Sequence, residues 1–67
     1  MDIGKSLKLA LIHQGKTQSE IAASMGVSRA YVSAIANNEK TLSLSKLSFM
    51  SSIIGMPVSE FIALGEA

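Results

Sequence analysis

Apolar residues recur three or four positions apart in five short stretches of this chain, separated by glycines, a polar run and a proline. That period belongs to helices, where residues i, i+3 and i+4 share a face, and no stretch alternates as a strand would. The first predicted helix spans about residues 2–13, with Ile3, Leu7, Ala10 and Leu11 on one stripe and Gly15 ending it. Thr17 caps the second, and Glu20 three residues later completes a capping box. The third runs from Ser28 or Arg29 to about Ala36, and a polar loop, Asn37-Asn38-Glu39-Lys40-Thr41, follows it. Ser43 or Ser45 starts a fourth helix with Leu44, Leu47, Met50 and Ile54 expected inward, Ser48, Ser51 and Ser52 outward, and Gly55 as its stop. Pro57 and Ser59 open a short fifth helix that holds Phe61 and Ile62. The expected fold class is all-α: one compact five-helix domain over residues 1–67, with no repeat or linker.

The densest pattern lies between Gln18 and Asn37, QSEIAASMGVSRAYVSAIAN. Ile21 and Met25 share a face of one helix, and Val32 and Ile35 share a face of the next. Two short helices crossing steeply need a small residue where their backbones meet, and Ala22 supplies it. Gly26 stands where the chain must turn in a left-handed conformation that only glycine adopts without steric cost. Ser28 then offers an N-cap oxygen. Together these features read as a helix-turn-helix, a DNA-reading unit.

Composition narrows the class. A chain of 67 residues buries only ~60% of its unfolded surface, so the core must be rich in apolar side chains. Hydrophobic residues make up 48% of the chain, with just two phenylalanines and one tyrosine, so aliphatic residues and methionine do the packing. With no cysteine, neither disulfides nor thiolate metal sites can brace the fold. No apolar run approaches the ~18 residues of a membrane span and no signal peptide is evident, so a soluble cytoplasmic protein is expected. Six Lys+Arg against five Asp+Glu give a net charge of +1, so DNA binding must rest on local placement of charge. Lys16, Arg29 and Lys40 bracket the helix-turn-helix, while Asp2, Glu60 and Glu66 lie near the termini. A modest positive surface with weak non-specific affinity is the expected result.

The run TQSEIAASMGVSRAYVSAI resembles the phage Cro and repressor family of helix-turn-helix domains, and LSFMSSIIGMPVSEFI is similar to the family's ending. The likeness extends from about Leu7 to Ile62. It implies a lambda-repressor-like domain in which helices two and three form the helix-turn-helix and the protein binds operator DNA as a dimer. Without a second domain, the chain is similar to the short Cro type. Antitoxins and restriction-modification controllers share this domain, which leaves the biological setting open.

The resemblance also implies roles for individual residues. Gln18, opening helix two, matches a glutamine that contacts a phosphate and braces the first reading residue, tasks that suit an amide able to donate and accept. Arg29 falls where relatives place a base-reading side chain, and a guanidinium fits the O6 and N7 acceptors of guanine. Ala30, Ser33 and Ala34 share that groove side: Ala30 could touch a thymine methyl, and Ser33 could bond a base or a phosphate. Relatives often carry a long amide in place of Ala34, so direct readout here is expected to be sparse. Tyr31 either lies along the sugar-phosphate backbone or packs on the surface, and Asn37 and Lys40 match phosphate-contacting positions. Many relatives pair an arginine with a glutamate where this chain has Leu11 and Ala36, and replacing both partners leaves no orphaned charge.

Little in the chain suits catalysis. His13, the one histidine, lies at the C-terminal end of helix one, where a protonated ring interacts well with the helix dipole. No nucleophile–base pair and no phosphate-binding glycine loop occurs, and Met25, Met50 and Met56 read as core filler. Neither enzyme activity, metal, cofactor nor small-molecule ligand is expected. The expected function is that of a sequence-specific transcriptional regulator, a Cro-type repressor on a palindromic operator. Two copies of helix three would lie about 34 Å apart, one turn of DNA. Leu42, Val58 and Phe61 fall in the family's pairing region, Phe61 as either an interface or a core residue, and so few apolar residues imply a weak dimer that DNA completes. The alternative is a protein-interaction module of the same fold, of antitoxin or antirepressor type, which the low charge and small side chains of helix three favour.

Overall fold

In the computed structural model, which describes residues 1–66, the helices are α1 (Ile3–Gln14), α2 (Gln18–Met25), α3 (Arg29–Ala36), α4 (Leu44–Ile54) and α5 (Val58–Glu66), and no strand occurs among the described residues. The all-α arrangement of five helices that the resemblance implied, lambda-repressor-like in its order, is therefore present. Each of the first four helices begins at a polar N-cap: the side chains of Asp2, Thr17, Ser28 and Ser43 accept the N–H three residues on. At Thr17 the capping box closes fully: Thr17 N–H donates to Glu20 Oε1 at 2.9 Å and Glu20 N–H to Thr17 Oγ1 at 3.1 Å.

Helix α1 packs most extensively against α5 and also meets α3 and α4, while α2 lies on α3 and α4. The close approach of α1 and α5 needs small residues. A Cβ at Gly65 would lie 2.2 Å from the Asp2 carbonyl oxygen, and the Ser6 hydroxyl donates to the Ile62 carbonyl at 3.4 Å. Leu7, Ala10, Ile21, Val32, Ile35, Leu47, Met50, Ile54 and Phe61 form the buried centre, with Leu11 and Ala36 also inside. The positions where relatives carry an ion pair thus serve as plain core here. Met50 and Met56 are buried and Met25 packs on the edge, so all three act as fillers.

Two side chains depart from the expected pattern, and a third, Phe61, falls on one of its two expected sides. Leu44 was expected inward but is 66% exposed: it is the first residue of α4, a turn beyond Leu47, where the core has ended. Ser51, expected outward, is buried, because it follows Leu47 by four residues and shares its face. Its hydroxyl donates to the Ser48 carbonyl at 3.0 Å, so burial leaves no orphaned group. Phe61 is fully buried, which removes it from any dimer surface. A core of few aromatic residues uses its one inward-facing phenylalanine at the α5 contact, while Phe49 stands 52% exposed on α4. No single helix among the described residues is long and apolar enough to cross a membrane.

Candidate nucleic-acid interface

The helix-turn-helix is shaped by local chemistry. Ala22 is buried at the α2–α3 crossing, and Gly26 turns the chain at φ 72°. Its N–H donates to the Ala23 carbonyl at 3.2 Å, and that of Val27 to the Ala22 carbonyl at 3.0 Å, which satisfies the carbonyls that end α2. Ser28 Oγ accepts the Tyr31 N–H at 3.1 Å and starts α3. With Val32, Ile35 and Ala36 buried, α3 has only one face left to present. Arg29 and Ala30 are exposed on it at the N-terminal end, and Ser33 and Ala34 are half-buried a turn later. Small side chains at Ala30, Ser33 and Ala34 leave that face of the helix slim.

Gln18, half-buried at the first position of α2, meets α3 directly: the Ser33 hydroxyl donates to Gln18 Oε1 at 2.7 Å. The glutamine therefore braces Ser33, a full turn along the helix, and not Arg29 at its start. That bond leaves the amide hydrogens of Gln18 uncommitted to any acceptor among the described residues.

Tyr31 is half-buried against the core, and the Lys40 ammonium stands 5.2 Å from its ring centroid, within the range of a cation–π contact. The ring thus packs between the core and a lysine and anchors the loop that carries Asn37 and Lys40. Both of those residues are exposed. Lys16 belongs elsewhere: its ammonium donates to the carbonyls of Ile53 and Ile54, each at 3.1 Å, capping the negative end of α4. The positive flank of the helix-turn-helix consequently narrows to Arg29 and Lys40. Leu42 and Val58 are half-buried, with part of each side chain facing solvent.

Asn38 is the residue whose part sequence reasoning missed. It adopts φ 59°, and its side chain accepts the Gly4 N–H and donates to Asp2 Oδ1, both at 2.9 Å. The Asp2 carboxyl is held below the usual carboxylate range, first by the Lys5 N–H and then by the Asn38 amide. An asparagine just past the last periodic residue of a helix is a recognised left-handed stop, and that signal was available. Its partners 34 and 36 residues away were not. Phe49 was also legible, being out of phase with the Leu47, Met50, Ile54 stripe.

Two short helices joined at a left-handed glycine, with one face of the second left open, define the class of helix-turn-helix proteins. A Helix-turn-helix family model matches residues 7–61, and the chain belongs to this family, the Cro and repressor type of DNA-binding transcription regulators. No curated protein and no solved structure matches it.

Proposed function

We propose that this chain is a sequence-specific repressor of the Cro type that binds a palindromic operator as a homodimer. The carrying observation is the open face of α3, with Arg29 and Ala30 exposed at its start and Ser33 braced by Gln18 a turn later. In this reading Arg29 contacts a guanine bidentately, Ala30 and Ala34 lie against apolar base edges, and Ser33 offers an acceptor to a base amino group. Gln18, Asn37 and Lys40 contact phosphates, with Tyr31 holding Lys40 in place. One such face offers few reading side chains, so selectivity comes from pairing two. Leu42 and Val58 form the pairing surface, and its small size makes the dimer weak until DNA joins the halves.

Selection of bound sequences from a random duplex pool tests this. A recovered palindrome with half-sites one helical turn apart is the expected outcome, and a single unrepeated site or no enrichment overturns it. Sedimentation with the selected duplex should show two chains per duplex. A tight two-to-one complex that persists in a Leu42→Asp, Val58→Asp double variant would move the interface elsewhere. A second reading, a protein-binding module of the same fold, draws support from Leu44 and Phe49, large apolar side chains exposed on α4. It would gain if the pool yields no enriched sequence.

A further inference from the structure

Helices α1, α2 and α4 end at glycines in the left-handed region, Gly15, Gly26 and Gly55, whereas the left-handed residue after α3 is Asn38. The hydrogen bonds around it are those of a glycine stop: Asn38 N–H donates to the Ile35 carbonyl at 3.1 Å and Glu39 N–H to that of Ala34 at 2.8 Å. Glycine would make this turn with less strain. What asparagine adds is a side chain that can accept and donate at once, and both capacities are used on the N-terminus of α1. Its Oδ1 takes the Gly4 N–H, one of the donors that a helix start leaves unsatisfied. Its Nδ2 donates to Asp2 Oδ1, the same oxygen that accepts the Lys5 N–H at 3.0 Å. The fit leaves no slack: a Cβ on Gly4 would lie 2.4 Å from the Ala36 carbonyl oxygen and 2.9 Å from the Asn38 amide atoms. The loop that follows the reading helix is thus fastened at one end to α1 and at the other, through Lys40, to the Tyr31 ring.

We infer that Asp2, Gly4 and Asn38 form a clamp that presets the phosphate-contacting loop, with Asp2 and Asn38 as positioning residues acting through Asn37 and Lys40. The inference rests on the DNA reading above. A loop held in place before binding loses little freedom on the duplex, whereas a loosened one must be ordered at each encounter. Asp2 gives the clamp a signature that general electrostatics cannot mimic. Removing its negative charge should strengthen attraction to DNA if charge alone matters, and weaken binding if the clamp matters.

The test measures affinity for a mixed-sequence duplex about two helical turns long across a salt series. It uses the wild type, Asp2→Ala, Asn38→Gly, Lys40→Ala and the core control Ile54→Val, all at a temperature where thermal melts show each folded. Asn38→Gly keeps the left-handed turn and deletes only the bridge, so it reports even if Asp2→Ala fails to fold. Both clamp variants should bind about three- to tenfold more weakly, the loss expected when several side chains must be ordered on binding. Their salt slopes should fall toward that of Lys40→Ala, and neither should weaken binding further in an Asn37→Ala, Lys40→Ala background. Hydrogen exchange at Gly4 should quicken in Asn38→Gly. Equal or tighter binding by Asp2→Ala, unchanged affinity and slope in Asn38→Gly, or an equal loss in Ile54→Val would overturn the clamp while leaving the DNA reading intact. Failure of the wild type to bind any duplex would overturn both.

Discussion

Helices α3 and α4 each follow a serine N-cap, Ser28 and Ser43, and each buries a stripe spaced three and four residues apart. Their outer faces have little in common. Helix α3 shows solvent Arg29 among small neighbours, whereas α4 shows Leu44 and Phe49 among serines and a single lysine, Lys46. The inner faces obey a packing rule that any helix of a small domain must meet, so they say little about function. The outer faces are free of that rule, and there the two helices diverge: one presents small side chains around a single arginine, the other carries apolar area that nothing among the described residues covers. Chemistry on the solvent side is therefore the better guide to purpose.

The largest expected effect separates inner from outer within α4. Met50 is fully buried and Phe49 is 52% exposed, so Met50→Ala should cost about 2–5 kcal/mol of stability while Phe49→Ala stays within about 0.5 kcal/mol. Urea denaturation of both variants checks this. A large loss at Phe49 would mean that α4 has a covered outer face after all.

Arg29 comes next. On the selected operator Arg29→Ala should cost about 1–3 kcal/mol of binding, relax one base pair per half-site, and leave the thermal midpoint in place. Phe49→Ser measured beside it should leave operator affinity unchanged. A uniform loss over all sequences for Arg29→Ala would make it a phosphate contact and erase the readout half of the contrast.

Shared caps should give shared costs. Replacing Ser28 or Ser43 by alanine removes one side-chain acceptor at a helix start, for about 1 kcal/mol of stability each. Clearly unequal thermal midpoints in the two variants would show that the helix starts are not equivalent, whatever their local likeness.

The smallest effect is one of pH. The Asp2 carboxyl is held below its ordinary value of 3.8 by the Lys5 N–H and the Asn38 amide in the folded chain, and regains that value on unfolding. Its contribution is therefore complete above the unfolded value and is lost as pH falls through the lower, folded one. The difference in urea midpoint between the wild type and Asp2→Ala should be full near neutrality and close toward zero in strong acid. A difference that persists unchanged in acid would show that the carboxylate plays no part.

Local grammar was readable from the residues alone. Thr17 with Glu20, Ser28, Gly26 and the apolar period give the five helices, their starts and the turn, because each depends on neighbours within four or five positions. The placement of Arg29 and Ala30 on an open face follows from that same period, since Val32, Ile35 and Ala36 claim the other side. What tertiary structure alone decided are the pairings that join distant segments. Lys16 reaches the end of α4, Asn38 reaches Gly4 and Asp2, and Ser33 takes Gln18. Periodicity names no partner for a polar side chain, and these partners are set by where whole helices dock. The fates of Leu44 and Phe61 were decided the same way, whereas the burial of Ser51 was legible in its place four residues after Leu47. Periodicity assigns a residue to a face, but how far the neighbouring helices extend along that face determines whether it ends covered or bare.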